Sequence, residues 1–286
     1  MSQLSYTPAS DTNREPSPII WHDFPHDEVR EDAVGLEFWD DFRGGVGAVS
    51  SKIGGWNDWE TYEDTNTTIL VLEGTSAATK GGIVRLSLPA SSGDNLECAM
   101  QAAAGSGGPF FIGNTAGAAF PLWFEIRYRI STVTNGKCGA FMGLAQGNSP
   151  ANNFMGDGGG LADFADADYI GFFRDEDDGD AIDVIHNIAG GTDTTLISDA
   201  DTLAANTWYK AGFKYLPLNG AAKQITFYFD GVAATTYATT TTINTAGTFP
   251  ENQGLSPIIA FKNAADAAAT LDIDWVRCAQ VYRLAP

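Results

Sequence analysis

The sequence predicts an all-β protein, a two-sheet antiparallel sandwich preceded by an extended N-terminal arm, and three observations carry that prediction. The run Pro121–Ile130, PLWFEIRYRI, alternates strictly: Leu122, Phe124, Ile126, Tyr128 and Ile130 share one face, and Trp123, Glu125, Arg127 and Arg129 the other. Period-two alternation with aromatic and β-branched members marks a strand with one face on a core, its outer face wet or covered by another segment. Glycine, at 32 residues, and threonine are plentiful while Lys+Arg is only 16, which suits strands and tight turns better than long helices. Finally, a dozen or more strand-like segments follow one another at short spacing, with almost no helical period and no internal repeat.

In chain order, residues 1–35 form the arm. Pro8, Pro16, Pro18 and Pro25 break up a polar, acidic stretch, yet Ile19, Ile20, Trp21 and Phe24 sit in its middle. A solvated tail has no reason to carry an apolar cluster. The arm therefore either folds back onto its own domain or docks on a neighbouring subunit. His26–Val34 suits one or two helical turns. The sandwich, residues 36–286, opens with 36–43, LEFWDDFR. An aromatic-rich stretch with Trp56, Trp59 and Tyr62 precedes strands at 68–72, 83–88 and 94–103. After 122–130, the Asn135-Gly136 pair turns the chain into 138–145. Residues 146–167 are a long loop rich in glycine, aspartate and asparagine. Strands 169–173 and 181–187 flank the acidic turn DEDDGD, followed by 207–215 and 224–229. Asp230-Gly231 then turns the chain into 232–236, and the last pair is 258–262 and 271–277, where Leu271, Ile273 and Trp275 alternate with Asp272 and Asp274.

Charge and cysteine content narrow the function. A formal charge of −20 argues against nucleic acid, which needs basic surface to displace counterions, and against anionic membranes. Cys98, Cys138 and Cys278 are too few and too scattered for a disulfide framework or a zinc site, and are expected as buried thiols in a reducing compartment. The opening MSQLSYTPAS has neither a basic nor an apolar region of a secretory leader, and no run approaches a membrane span.

The E-F-W-D-D-F of Glu37–Phe42, the central amphipathic strand and the terminal D-I-D-W-V-R of Asp272–Arg277 together resemble concanavalin A-like jelly rolls, a superfamily that includes lectins, laminin G-like modules and family 16 glycoside hydrolases. That resemblance implies a carbohydrate function. The fuller set YIGFF, DGDAIDVIH, NTWYKAGFKY, FYFDG, FPENQGLSPIIAFKN and LDIDWVRCAQ, within residues 120–281, resembles accessory structural proteins of tailed bacteriophages. It implies a virion component made in the host cytoplasm.

Catalytic patterns are missing. A family 16 hydrolase needs E-x-D-x-x-E on one strand, a spacing read as placing nucleophile and acid/base carboxylates on one face. The matching positions are Ala181, Asp183 and His186, so both glutamates are absent and no enzyme is expected. There is no G-x-S-x-G elbow, no phosphate loop and no H-E-x-x-H. The acidic turn, with Asp175, Asp177, Asp178 and Asp180, offers closely spaced oxygens for a hard cation such as Ca2+; the alternative, favoured here, is a solvated hairpin tip that discourages edge pairing. Trp56, Trp59 and Tyr62 form a sugar-stacking platform or, as clustered aromatics usually do, part of the core.

The expectation from sequence is a non-enzymatic capsid decoration or cement protein. It would bind the major capsid protein, and copies of itself at a symmetry axis of the virion, through Ile19, Ile20, Trp21 and Phe24. The alternative is a lectin-like module for surface glycans, compatible with display on a virion; a tail or fibre component comes third.

Overall fold

In the computed structural model, residues 14–31, 34–42, 59–64, 66–72, 82–90, 96–102, 108–113, 120–147, 149, 154–155, 164, 166–217, 222–245, 247–264 and 267–282 are described. The strands are β1 (Gly35–Asp40), β2 (Trp59–Glu63), β3 (Thr68–Leu72), β4 (Ile83–Leu88), β5 (Glu97–Ala102), β6 (Leu122–Ile130), β7 (Cys138–Gln146), β8 (Tyr169–Arg174), β9 (Ala181–Asn187), β10 (Thr194–Thr202), β11 (Tyr209–Pro217), β12 (Lys223–Phe229), β13 (Val232–Ala238), β14 (Leu255–Asn263) and β15 (Ala269–Val281). They form two antiparallel sheets. Sheet A runs β13-β12-β11-β6-β15-β4-β3, with β1 also on β15; sheet B runs β10-β9-β8-β7-β14-β5-β2. Among the described residues three short helices occur, α1 (Pro18–Trp21), α2 (His26–Glu31) and α3 (Thr240–Ile243).

The core lies between the sheets because each strand turns its apolar set inward. From β6 this set is the predicted one, Leu122, Phe124, Ile126, Tyr128 and Ile130, which meets Phe213, Phe227 and Phe172 among others. Asp230 and Gly231 both take positive φ, 47° and 80°, as the two-residue hairpin turn between β12 and β13 requires. All three cysteines are buried and unbridged.

Several expectations change. β2 and β10 were not predicted as strands. WETYE reads as an aromatic cluster, and β10 interrupts its pattern with Asp199 and Asp201 and two register shifts against β9. Trp275 does not continue the alternation of Leu271 and Ile273. A bulge between Ile273 and Trp275 inserts Asp274, so Val276 and Cys278 resume the core face. Residues 18–21 are not extended but form α1, while α2 falls within the helical turns expected at His26–Val34.

Both outer faces are covered by the chain itself. Segment 14–31 lies on sheet A, where Ile20, Trp21, Phe24 and Val29 pack with Trp123, Tyr228, Ala279 and Val281. On sheet B, Phe154, Met155 and Phe164 from the β7–β8 connection pack on Phe141, Tyr169, Phe173, Ile185 and Ile258.

Candidate functional site

On sheet A the arm is held by charges on the outer face of β6 and β15. The Glu125 carboxylate accepts the Ser17 backbone N–H (3.0 Å) and the Trp21 indole N–H (2.7 Å). Burial pushes its pKa up, against those hydrogen bonds. Asp274, the inserted residue of the bulge, accepts both Nε (2.9 Å) and Nη2 (2.6 Å) of Arg14 and also Nη1 of Arg127 (2.7 Å). Trp275 donates its indole N–H to the Arg14 carbonyl at 2.6 Å. Lys214 pairs with Asp23. Gly212 on β11 leaves the space that Ile20 occupies: a Cβ there would stand 2.9 Å from Ile20 Cδ1 and 2.6 Å from the Phe124 carbonyl oxygen.

Arg277 organises the rim of this face. Its Cζ lies 3.8 Å from the Trp21 ring centroid and 4.4 Å from that of Trp39, so the guanidinium sits against two indoles. Glu37 fixes it, accepting Nε (3.0 Å) and Nη2 (2.6 Å), and His26 Nδ1 lies 3.1 Å from Nη2. Trp39 is 42% exposed. A planar aromatic face is thereby held rigid at the surface beside Glu37, His26 and Arg277.

The sequence-derived sites are placed as follows. Ile20, Trp21 and Phe24 are buried on the chain's own sheet; Ile19 alone of the four stays open, at 49% exposure. Trp59 is core: it is fully buried against Phe38 and Phe42, with its indole N–H on Asp40 (2.8 Å), so it offers no stacking surface. Tyr62 is half-buried on β2, and Trp56 lies outside the described residues. Trp39, within the E-F-W-D-D-F run, was not singled out as a binding residue. Its register opposite Arg277 becomes visible only once β1 pairs with β15.

The hydrolase positions do not converge. β9 pairs with β8 without a bulge, so period two puts Ala181 and Asp183 on the outer face and His186 on the opposite one. The expectation that this spacing sets the nucleophile and acid/base positions, here 181 and 186, on one face is therefore corrected. His186 packs on Phe249, its Nδ1 2.8 Å from the Thr248 carbonyl oxygen, and desolvation lowers its pKa.

Of the four predicted cation ligands, Asp178 joins Asp183 and Asp199 in a group whose carboxylate oxygens lie within 4.8 Å of one another. Asp199 takes φ 50°, and its N–H bonds Asp183 Oδ1 at 2.8 Å. Burial, then the charges of Asp178, Asp199 and Asp175, raise the Asp183 pKa. Asp175 caps the Asp177 N–H, and Asp177 and Asp180 are exposed at the tip. Arg174, the base within this turn, is buried and donates to the carbonyls of Gly179 (2.6 Å), Cys138 and Thr134. A solvated hairpin tip gives the same arrangement.

The chain matches no protein-family model and no curated protein by sequence. Its fold has well-defined counterparts. Peanut lectin aligns over 86% of this chain and 97% of its own, at TM-score 0.53 and 12% identity. The fold is concanavalin A-like. An endo-β-1,4-glucuronan lyase from the fungus Trichoderma reesei aligns at TM-score 0.52 and 11% identity, over 84% of this chain and 94% of the lyase. An endo-1,3-β-glucanase from Streptomyces sioyaensis aligns at 0.51 and 13%, over 87% and 97%. At these identities the likeness concerns the jelly roll; chemistry has to be argued from the residues.

Proposed function

We propose that this concanavalin A-like chain is a non-catalytic carbohydrate-recognition module that binds sugar at the Trp39 rim of sheet A. The observation that carries the reading is the exposed Trp39 indole, held from behind by Arg277, which Glu37 and Trp21 fix in turn. A sugar presents an apolar C–H face and a rim of hydroxyls. An immobilised indole receives the first at little cost in side-chain entropy, and flanking polar groups orient the second. The absence of both glutamates at 181 and 186 and the opposed faces of Asp183 and His186 support binding without cleavage. The alignment with peanut lectin is compatible with it.

The test is a glycan array followed by calorimetry with Trp39→Ala and Trp39→Phe. Binding by the unaltered protein, lost at least tenfold in Trp39→Ala and largely kept in Trp39→Phe at unchanged melting temperature, is the expected result. Silence on the array, or undiminished binding by Trp39→Ala, would overturn it.

A second reading places the module on a phage capsid surface, where it would bind the major capsid protein. It rests on the resemblance of residues 120–281 to phage accessory structural proteins. Within the four-residue arm set, Ile19 is the side chain open to such a partner. Co-sedimentation with assembled capsids tests it, and a protein that stays in the supernatant at saturating concentration counts against it.

A further inference from the structure

The outer face of sheet A carries a second polar cluster, five positions along β15 from Arg277 and so roughly 15 Å from the Trp39 rim. Asp272 on β15, buried, stands between Arg85 on β4 and Arg129 on β6. It accepts Nε (2.6 Å) and Nη2 (2.8 Å) of Arg85 and Nη2 of Arg129 (2.5 Å). A guanidinium carries five N–H donors, so these bonds leave most of both groups unused by Asp272. Both side chains stay partly open, Arg85 at 33% and Arg129 at 27% exposure. Trp208, half-buried just before β11, lies against Arg127 and Arg129, its ring centroid 4.4 and 4.7 Å from their Cζ atoms. Stacking occupies the face of a guanidinium and leaves its in-plane N–H edges for an acceptor. Four arginines here, Arg14, Arg85, Arg127 and Arg129, meet two carboxylates, Asp272 and Asp274, an excess of two positive charges in a chain of −20. Bracing between strands needs no such excess. Register sets the exposed Leu70 of β3 beside Arg85, and Thr68, Ser87 and Thr270 form the next row on the same face.

We infer that this row is a binding site for an acidic sugar, separate from the Trp39 rim and not resting on it: Arg85 and Arg129 take the sugar's carboxylate, and Thr68, Ser87 and Thr270 its ring hydroxyls. The planar edge of a guanidinium matches a carboxylate bidentately, as the pair of Arg85 with Asp272 already does. Charge selects among anions. Arg85, Arg129 and Asp272 together carry one net positive charge, which a single carboxylate cancels. A phosphate dianion would add negative charge to an already acidic field. The hydroxyl row selects a sugar as the bearer of the carboxylate, since each hydroxyl both donates and accepts, as sugar hydroxyls do. Leu70 offers the same flat face an apolar contact for ring C–H groups.

The experiment is calorimetry on the full chain with a galacturonic acid trimer, the methyl ester of the same trimer, sialyllactose, lactose and sodium sulfate. At least one acidic sugar is expected to bind, and its uncharged counterpart, the methyl ester or lactose, to bind about tenfold more weakly or not at all, as the loss of charge-assisted hydrogen bonds requires. Sulfate alone is expected to bind more weakly than the acidic sugar. Arg85→Gln should lose the preference for the acid over its uncharged counterpart. Arg129→Lys keeps the charge beside Asp272 and removes the planar fork; it should lose the same preference at an unchanged melting temperature. Silence with both acidic sugars overturns the inference. So does equal binding of acid and uncharged counterpart, sulfate binding as tight as that of the sugar, or a preference that survives in both arginine variants. The readouts are separate, since neutral glycans report on Trp39 and the difference between acid and uncharged counterpart reports on Arg85 and Arg129.

Discussion

Glu125, in the middle of β6, accepts the indole N–H of Trp21 at 2.7 Å across 104 residues of chain. This bond and the Ser17 N–H on the same carboxylate turn an outward-facing strand charge into the anchor of the N-terminal segment. Replacing Glu125 with alanine orphans two buried donors, so we expect a loss of about 2–4 kcal/mol in stability. Segment 14–31 should then become open to trypsin, read by mass spectrometry of the nicked protein. Equal protease resistance in Glu125→Ala would show that the apolar contacts alone hold the segment.

Gly212 tests the same docking from the side of space rather than charge. A valine there would drive its Cβ into Ile20 and the Phe124 carbonyl. We expect Gly212→Val to cost about 1–3 kcal/mol by overpacking and to shift Trp fluorescence as Trp21 loosens. Gly212→Ala should lie between the two.

Glu97 gives a pH dependence of definite sign. It is buried beneath the β7–β8 connection, accepting the N–H groups of Phe154 (3.0 Å) and Met155 (2.7 Å), and burial pushes its pKa from 4.5 up to about 7. Between those values the folded chain holds a proton that the unfolded chain has released. This contribution to stability is full below pH 4.5 and lost as pH rises through 7. The amount is at most about 3 kcal/mol. Chemical denaturation at pH 5 and pH 8 should show the decline, and Glu97→Gln should remove Glu97's share of it. A Glu97→Gln profile parallel to that of the unaltered protein would refute this assignment.

At the acidic hairpin, Asp178, Asp183 and Asp199 repel one another, and Asp183 carries the raised pKa. Asp183→Asn keeps an oxygen for the Asp199 N–H and removes a charge. In chelator at pH 7 it should raise stability by up to about 1 kcal/mol. Because Asp183 is protonated in both states at low pH, the gain should vanish near pH 3. A destabilised Asp183→Asn at pH 7 would mean that the cluster is neutralised by other means.

Much of the fold was legible because it is written in period-two patterns. The alternation of 122–130 named its core face, Asp230-Gly231 named its turn, and 68–72, 83–88 and 181–187 kept their predicted bounds. β10 escaped because its two register shifts break the alternation. The candidate site was less legible. Trp59 and Trp39 are both tryptophans in aromatic-rich runs, and only their neighbours make one core and the other surface.

By itself, then, the sequence determined an acidic, antiparallel sandwich without the carboxylate pair of a family 16 hydrolase, since face and charge follow from the order of residues along a strand. Tertiary structure alone decided where the arm's apolar cluster goes, that Asp274 and Trp275 turn outward at a bulge to meet Arg14, and that Arg277 stands between Trp21 and Trp39. Those outcomes depend on contacts between residues up to 261 positions apart, and local periodicity has no means of encoding which distant partner fills a given face.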